Sequence, residues 1–103
     1  MKKGVRWYEA ELHRIKGELL LARNSTDAAS AEESFRTAIG VARRQSAKSL
    51  ELRGTMSLAR LLAKQRRRDE ARKMLAEIYN WFTEGFDTAD LKDAKALLDE
   101  LSR

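Results

Sequence analysis

The chain has 103 residues, 43% hydrophobic and 36% charged, with no proline and no cysteine. A chain of this size fits one domain, and the lack of cysteine excludes disulfide staples and thiolate metal sites. Its 21 basic and 16 acidic residues leave a net charge of +5, with the basic side chains interleaved among Glu and Asp apart from the run Arg66-Arg67-Arg68.

Ala, Leu, Glu, Lys and Arg dominate, and these side chains lose little rotamer freedom in a helix. Runs rich in Val, Ile and Thr, which would favour strands, are missing. The expected class is all-α. Met1-Lys2-Lys3-Gly4 leads into an amphipathic segment without the apolar centre of a signal peptide. The longest apolar run, Leu19 to Ala22, falls far short of the roughly 20 residues a membrane span needs. The expected location is the cytoplasm, with no membrane partner.

A first helix is predicted over about Trp7 to Arg23. Tyr8, Leu12, Ile15, Leu19 and Ala22 recur at steps of four and three, one helical stripe, which Leu20 and Leu21 widen. The polar stretch Asn24-Ser25-Thr26-Asp27 supplies capping oxygens, and a second helix starts near Asp27, its stripe running through Ala28, Ala31, Phe35, Ala38 and Ala42. The capping box Ser30-Ala31-Glu32-Glu33 offers a competing start. Neither Gly nor Pro marks the next boundary. A single helix from Asp27 to Gln65 would be about 58 Å long, too long for so small a domain, so Ser46 or Ser49 is expected to cap a new helix.

That third helix, about Ala47 to Lys64, is expected to bury Leu50, Leu58, Leu61 and Leu62, with Ala59 allowing close approach. After a turn at Gln65 to Asp69, capped by Asp69, a fourth helix presents Ala71, Met74, Leu75, Ile78 and Phe82. Gly85 suits the left-handed position that ends a helix, and Phe86 is placed to fold back on the last turn. Asp87 or Thr88 then caps a fifth helix with the stripe Leu91, Ala94, Leu97, Leu98 and Leu101.

One pattern repeats at a separation of forty residues: Ala31, Phe35 and Ala38 recur as Ala71, Leu75 and Ile78. Upstream of each trio lies a helix with a small residue near its middle, Gly17 and then Ala59. A helix pair in tandem is the mark of a helical solenoid, and such arrays usually bind other molecules. These residues resemble the tetratricopeptide repeat family. In that resemblance Leu58, Ala59 and Leu62 occupy the first-helix positions of the second repeat, and Gly17 and Leu20 those of the first. The forty-residue spacing exceeds the usual unit of about 34, and Arg43 and Thr83 replace the proline that often closes it. The implied layout is one domain over 1–103. Repeat one covers about 7–46, repeat two about 47–83, and a capping helix about 87–102. The strings Ala47 to Arg53 and Trp81 to Leu91 are similar to the C-terminal end of large bacterial signalling proteins that carry NTPase and nucleotide-cyclase modules. Their catalytic domains are not in this chain, so it is not expected to be an enzyme.

The resemblance also implies a peptide-binding groove on the first helices of each pair. It would be lined by Arg53, Met56, Arg60 and Lys64 in the second repeat, and by Glu11, Arg14, Glu18 and Leu21 in the first. Such a surface suits a protein or acidic peptide. Glu18 and Arg60 stand where chaperone-tail-binding relatives have carboxylate-gripping asparagines. Trp7, Tyr8 and Trp81 are candidates for self-association as a homodimer, because an array of only two repeats leaves apolar ends. The runner-up is a basic module that associates with nucleic acid, which would need Lys and Arg gathered on one face, and a third reading is an end-cap that mainly mediates self-association. The single histidine, His13, lacks companions at metal-ligand spacing. Asp87 and Asp90 read as helix-start anions, and no glycine-rich phosphate loop occurs. No cofactor or metal is expected.

Overall fold

The computed structural model describes residues 8–103. Trp7, a candidate for self-association, lies outside the described residues. The described chain is all helical. Its helices are α1 (Tyr8–Arg23), α2 (Ala28–Arg44), α3 (Lys48–Lys64), α4 (Arg68–Tyr79) and α5 (Ala89–Leu101), with a 3-10 turn, Ser25–Asp27, between α1 and α2. Among the described residues no helix is long and apolar enough to cross a membrane.

Each helix packs on the next, and α3 also touches α1 and α5. Being bordered by all four others, α3 is buried over most of its surface, from Leu52 through Leu62. The two repeated trios lie in the interior: Ala31, Phe35, Ala38, Ala71, Leu75 and Ile78 are all buried. Helix α5 covers α3 and α4 with Leu91, Ala94, Leu97 and Leu101. A helix stripe at these spacings buries itself because leaving it wet forfeits about 25 cal/mol per Å² of apolar surface.

Helix α1 departs from expectation. A periodic apolar stripe usually faces the core, yet Tyr8, Leu12, Ile15 and Leu19 are exposed, Leu19 by 64%. The face turned inward carries Ala10 and Gly17. The reason is steric. A Cβ on Gly17 would lie 2.5 Å from Cε1 of Phe35, so only the bare side of α1 lets the ring of α2 come this close. Large side chains on the opposite stripe would hold the helices apart.

The boundaries of α3 are set by a device absent from the sequence expectation. Ser46 and Arg66 both adopt positive φ, 55° and 63°. At the first, the Ala47 N–H bonds the Ala42 carbonyl at 2.8 Å and the Ser46 N–H bonds that of Arg43 at 3.1 Å. At the second, Arg67 reaches Leu62 at 2.8 Å and Arg66 reaches Ala63 at 3.2 Å. Both turns are Schellman closures with a non-glycine residue in the left-handed position. Ser46 therefore ends α2 instead of capping α3, whose N-cap is Ala47, and Ser49 lies inside the helix. Likewise Arg67, not Asp69, stands at the N-cap of α4.

Helix α4 is shorter than its stripe suggests, ending at Tyr79 and leaving Phe82 in the following turn. Gly85 does take a left-handed φ of 77°, but in the loop before α5 and not as the closure of α4. Phe86 folds back onto that helix's last residue, its ring 5.7 Å from that of Tyr79.

Two stability outcomes follow from this packing. Gly17→Ala drives a methyl group into Phe35, so thermal unfolding should show a loss of about 1–3 kcal/mol, as for other overpacked cores. Ser46→Gly relieves a left-handed L-residue and should raise stability by about 0.5–1 kcal/mol in urea unfolding; a loss would contradict the closure described.

Candidate partner-binding face and cleft

Because α3 is flanked by α1 and α5, only a narrow strip of it meets solvent, formed by Ser49, Arg53, Arg60 and Lys64. Helical spacing puts these four on one side. Met56, expected on the same surface, is only 4% exposed and belongs to the core. The strip is too narrow to include it, and Met56 lines no groove. Leu21 is likewise packed against the core, half-buried.

The candidate residues divide into two groups. Arg53 is engaged: its Nε donates to Asp90 Oδ2 at 2.9 Å and its Nη1 to Glu11 Oε1 at 3.0 Å. One guanidinium thus ties α3 to both α1 and α5, using the planar fork that suits Arg to two carboxylates. Arg14 joins the same network, donating to Glu11 Oε2 at 2.8 Å and lying 3.8 Å from Glu18. Glu18 in turn accepts from the Ser57 hydroxyl at 2.8 Å. Hydrogen bonding from Arg14, and then from Arg53, holds the Glu11 carboxyl below the usual range against the opposing effect of burial. Arg60 and Lys64 are different. Both are exposed and form no ion pair among the described residues.

A matching clamp joins α2 to α4. Arg36 bonds Glu32 at 2.9 Å and Glu70 at 3.1 Å, while Arg67 bonds the same two carboxylates at 3.0 and 2.9 Å. Partial burial would raise the Glu32 pKa, but the hydrogen bonds from Arg36 and Arg67 outweigh it and hold the group low. The one dense basic run is thereby absorbed into the fold. Arg66 forms a turn, Arg67 completes this ring, and Arg68 donates to the Glu100 carbonyl at 3.1 Å at the end of α5, where a cation complements the helix dipole.

At the start of the α3 strip lies a cleft of about 560 Å³. Its apolar lining comes from Leu52, Trp81, Phe82 and Leu91, and its polar rim includes Ser49, Arg53, Thr83 and Thr88. Trp81 is 56% exposed, packed edge-on to Phe82 at 5.2 Å, with the Lys48 ammonium 5.4 Å from its ring. Such a cation–π contact holds an exposed indole in place. Trp81 therefore belongs to a cleft and not to the core. The cleft was not anticipated as a whole, because it forms only when the α4–α5 loop folds against α3. The usable signal was an aromatic pair beside a Thr-Glu-Gly turn.

Tyr8 lies on the exposed face of α1, remote in sequence from this cleft. His13 is half-buried, and among the described residues no three His, Cys, Asp or Glu side chains gather as a metal site would require.

Glu11 has its pKa lowered by folding, so its contribution to stability is present above the ordinary Glu value of about 4.3 and is lost as the pH falls through the lower folded value. Denaturant unfolding at neutral and acidic pH should show this loss. Arg53→Ala should remove about 1 kcal/mol at neutral pH and flatten the acid dependence.

Comparison with protein-family models, with curated proteins and with solved structures finds no match to this chain.

Proposed function

We propose that this chain is a short tetratricopeptide-like array that acts as a protein-interaction scaffold, holding a peptide segment against α3. The observation that carries the reading is the junction of an aromatic cleft with a strip bearing two unpaired cations. Ser49 and Arg53 belong to both. An apolar side chain of the partner would anchor beside Trp81 and Phe82, and acidic residues further along it would meet Arg60 and Lys64. Binding hot spots commonly combine such a buried aromatic anchor with surrounding polar contacts.

The array reading is supported by how the helices meet. Helices α1, α3 and α5 make contact in succession, whereas α2 and α4 do not approach each other closely and are joined by the Arg36–Glu70 and Arg67–Glu32 pairs. The buried trios on α2 and α4, each facing a helix with Gly17 or Ala59 in its interior, fit the same reading. The strings Ala47 to Arg53 and Trp81 to Leu91 support a place at the C-terminal end of a cytoplasmic bacterial signalling protein. Nucleic-acid association is the weaker reading, because Arg66, Arg67 and Arg68 serve the turn, the clamp and a helix end.

Display selection of peptides against the intact protein tests the proposal. Enriched sequences should combine an apolar anchor with nearby Asp or Glu. Their affinity should fall about tenfold in an Arg60→Glu, Lys64→Glu variant, since charge opposition across an interface costs on the order of a kcal/mol or more. Trp81→Ala should weaken the same peptides, with the thermal melt little changed in both variants. Peptides without acidic bias, or binding indifferent to both variants, would sink the reading.

A further inference from the structure

The outward face of α1 is the largest run of exposed apolar side chains in the described chain. Tyr8, Leu12, Ile15 and Leu19 are 46%, 57%, 44% and 64% exposed. Leu12, Ile15 and Leu19 form a shallow depression with Lys16, Leu20 and Arg23, and no other helix contributes to its lining. Four large apolar residues in one continuous row exceed the scattered exposure usual for a monomer surface.

The spacing says what kind of surface covers it. Steps of four, three and four place Leu12 and Leu19 at one core position of a heptad, and Tyr8 and Ile15 at the other. A strict two-position seam is the pattern of a helix that packs along the length of another helix. The edges of the seam carry charge of opposite sign. Glu11 and Glu18 precede Leu12 and Leu19 on one edge, while Lys16 and Arg23 border it on the other.

These edges choose both the partner and the direction. In a parallel pair, an edge residue on one helix faces the opposite edge of its partner about five residues further on. A second copy of α1 then brings Glu11 to Lys16 and Glu18 to Arg23, on both sides of the two-fold axis. An antiparallel pair instead brings like edges together, setting Glu11 and Glu18 against their own copies. Of the two parallel pairs, Glu18–Arg23 sets the direction. Glu18, which meets Arg14 and Ser57, and Arg23, which meets Asp27, still keep 44% and 72% side-chain exposure, whereas Glu11 keeps 16% and serves both Arg14 and Arg53. The body of each chain lies behind α1, on the side of Ala10 and Gly17, and does not obstruct the approach.

The geometry points to a parallel, two-fold dimer of this chain in which α1 packs on α1 through Leu12, Ile15 and Leu19. This surface is separate from the α3 strip and the cleft, so dimer formation leaves both copies of that site open and presents them as a bivalent pair.

Light scattering and sedimentation of the full chain over a concentration series measure the association. A dimer is expected, and Leu19→Glu should raise its dissociation constant about tenfold or more, since the substitution places a charge in the seam twice. Ile15→Glu should do the same, and helical circular dichroism should show both variants folded. Because the chain contains no cysteine, Leu19→Cys reports direction. Under mild oxidation it should form a covalent dimer with itself. A monomer at every concentration, or a dimer indifferent to both Glu variants, overturns the proposal. So does cross-linking only when Leu19→Cys is mixed with Tyr8→Cys, which is the antiparallel outcome.

Discussion

The contact between Gly17 and Phe35 sets the arrangement of the first half of the molecule. With no side chain at position 17, the Phe35 ring sits where a Cβ would be, and the two helices come together along the barest side of α1. That choice has a cost, since it leaves four large apolar residues facing water. It also positions Glu11, Arg14 and Glu18 along the border with α3, where they meet Arg53 and Ser57. The packing of one ring against one glycine thus decides which residues of α1 are structural and which remain available to a partner.

Two arginine-centred clamps complete the frame. Arg53 joins α1, α3 and α5, while Arg36 and Arg67 join α2 to α4 through Glu32 and Glu70. Isolated surface ion pairs contribute little, but networks in which each guanidinium holds two carboxylates fix geometry more firmly. Their common effect is to engage Arg36, Arg53 and Arg67 within the fold itself. Arg60 and Lys64 form no ion pair among the described residues, and neither do Lys16, Arg44, Lys73 and Lys92. What sets Arg60 and Lys64 apart is their place on the α3 strip beside the cleft. Unpaired cations beside an aromatic cleft are the feature on which the proposed acidic ligand rests.

The proposed peptide site and the proposed α1 seam differ in character. The cleft beside Trp81 is apolar within and polar at its rim, while the seam is a continuous apolar row suited to a whole helix. Joined in a dimer, two clefts on one rigid body would bind a repeated or dimeric partner with effective concentrations far above those of a single site.

Helix content and the positions of the five helices were legible in the sequence, because local propensity and apolar spacing act over a few residues. The buried trios on α2 and α4 and the stripe of α5 were legible for the same reason. The turn at Ser46 was not, since its left-handed residue is neither Gly nor Asn and the bonds that stabilise it reach back to Ala42 and Arg43. Arg53 and Arg60 occupy similar places on one helix, and no local signal separates the clamp from the free cation. Only the approach of Glu11 from α1 and Asp90 from α5 does so. The same limit explains α1. Its sequence contains two candidate faces, one rich in large apolar residues and one nearly bare, and periodicity favours the first. The amino-acid sequence by itself determined that α1 is a helix with a row of large apolar residues and a glycine at its middle. Tertiary structure decided which face turned inward, because close packing against Phe35 rewards the absence of a side chain, and that absence has no hydrophobic signal.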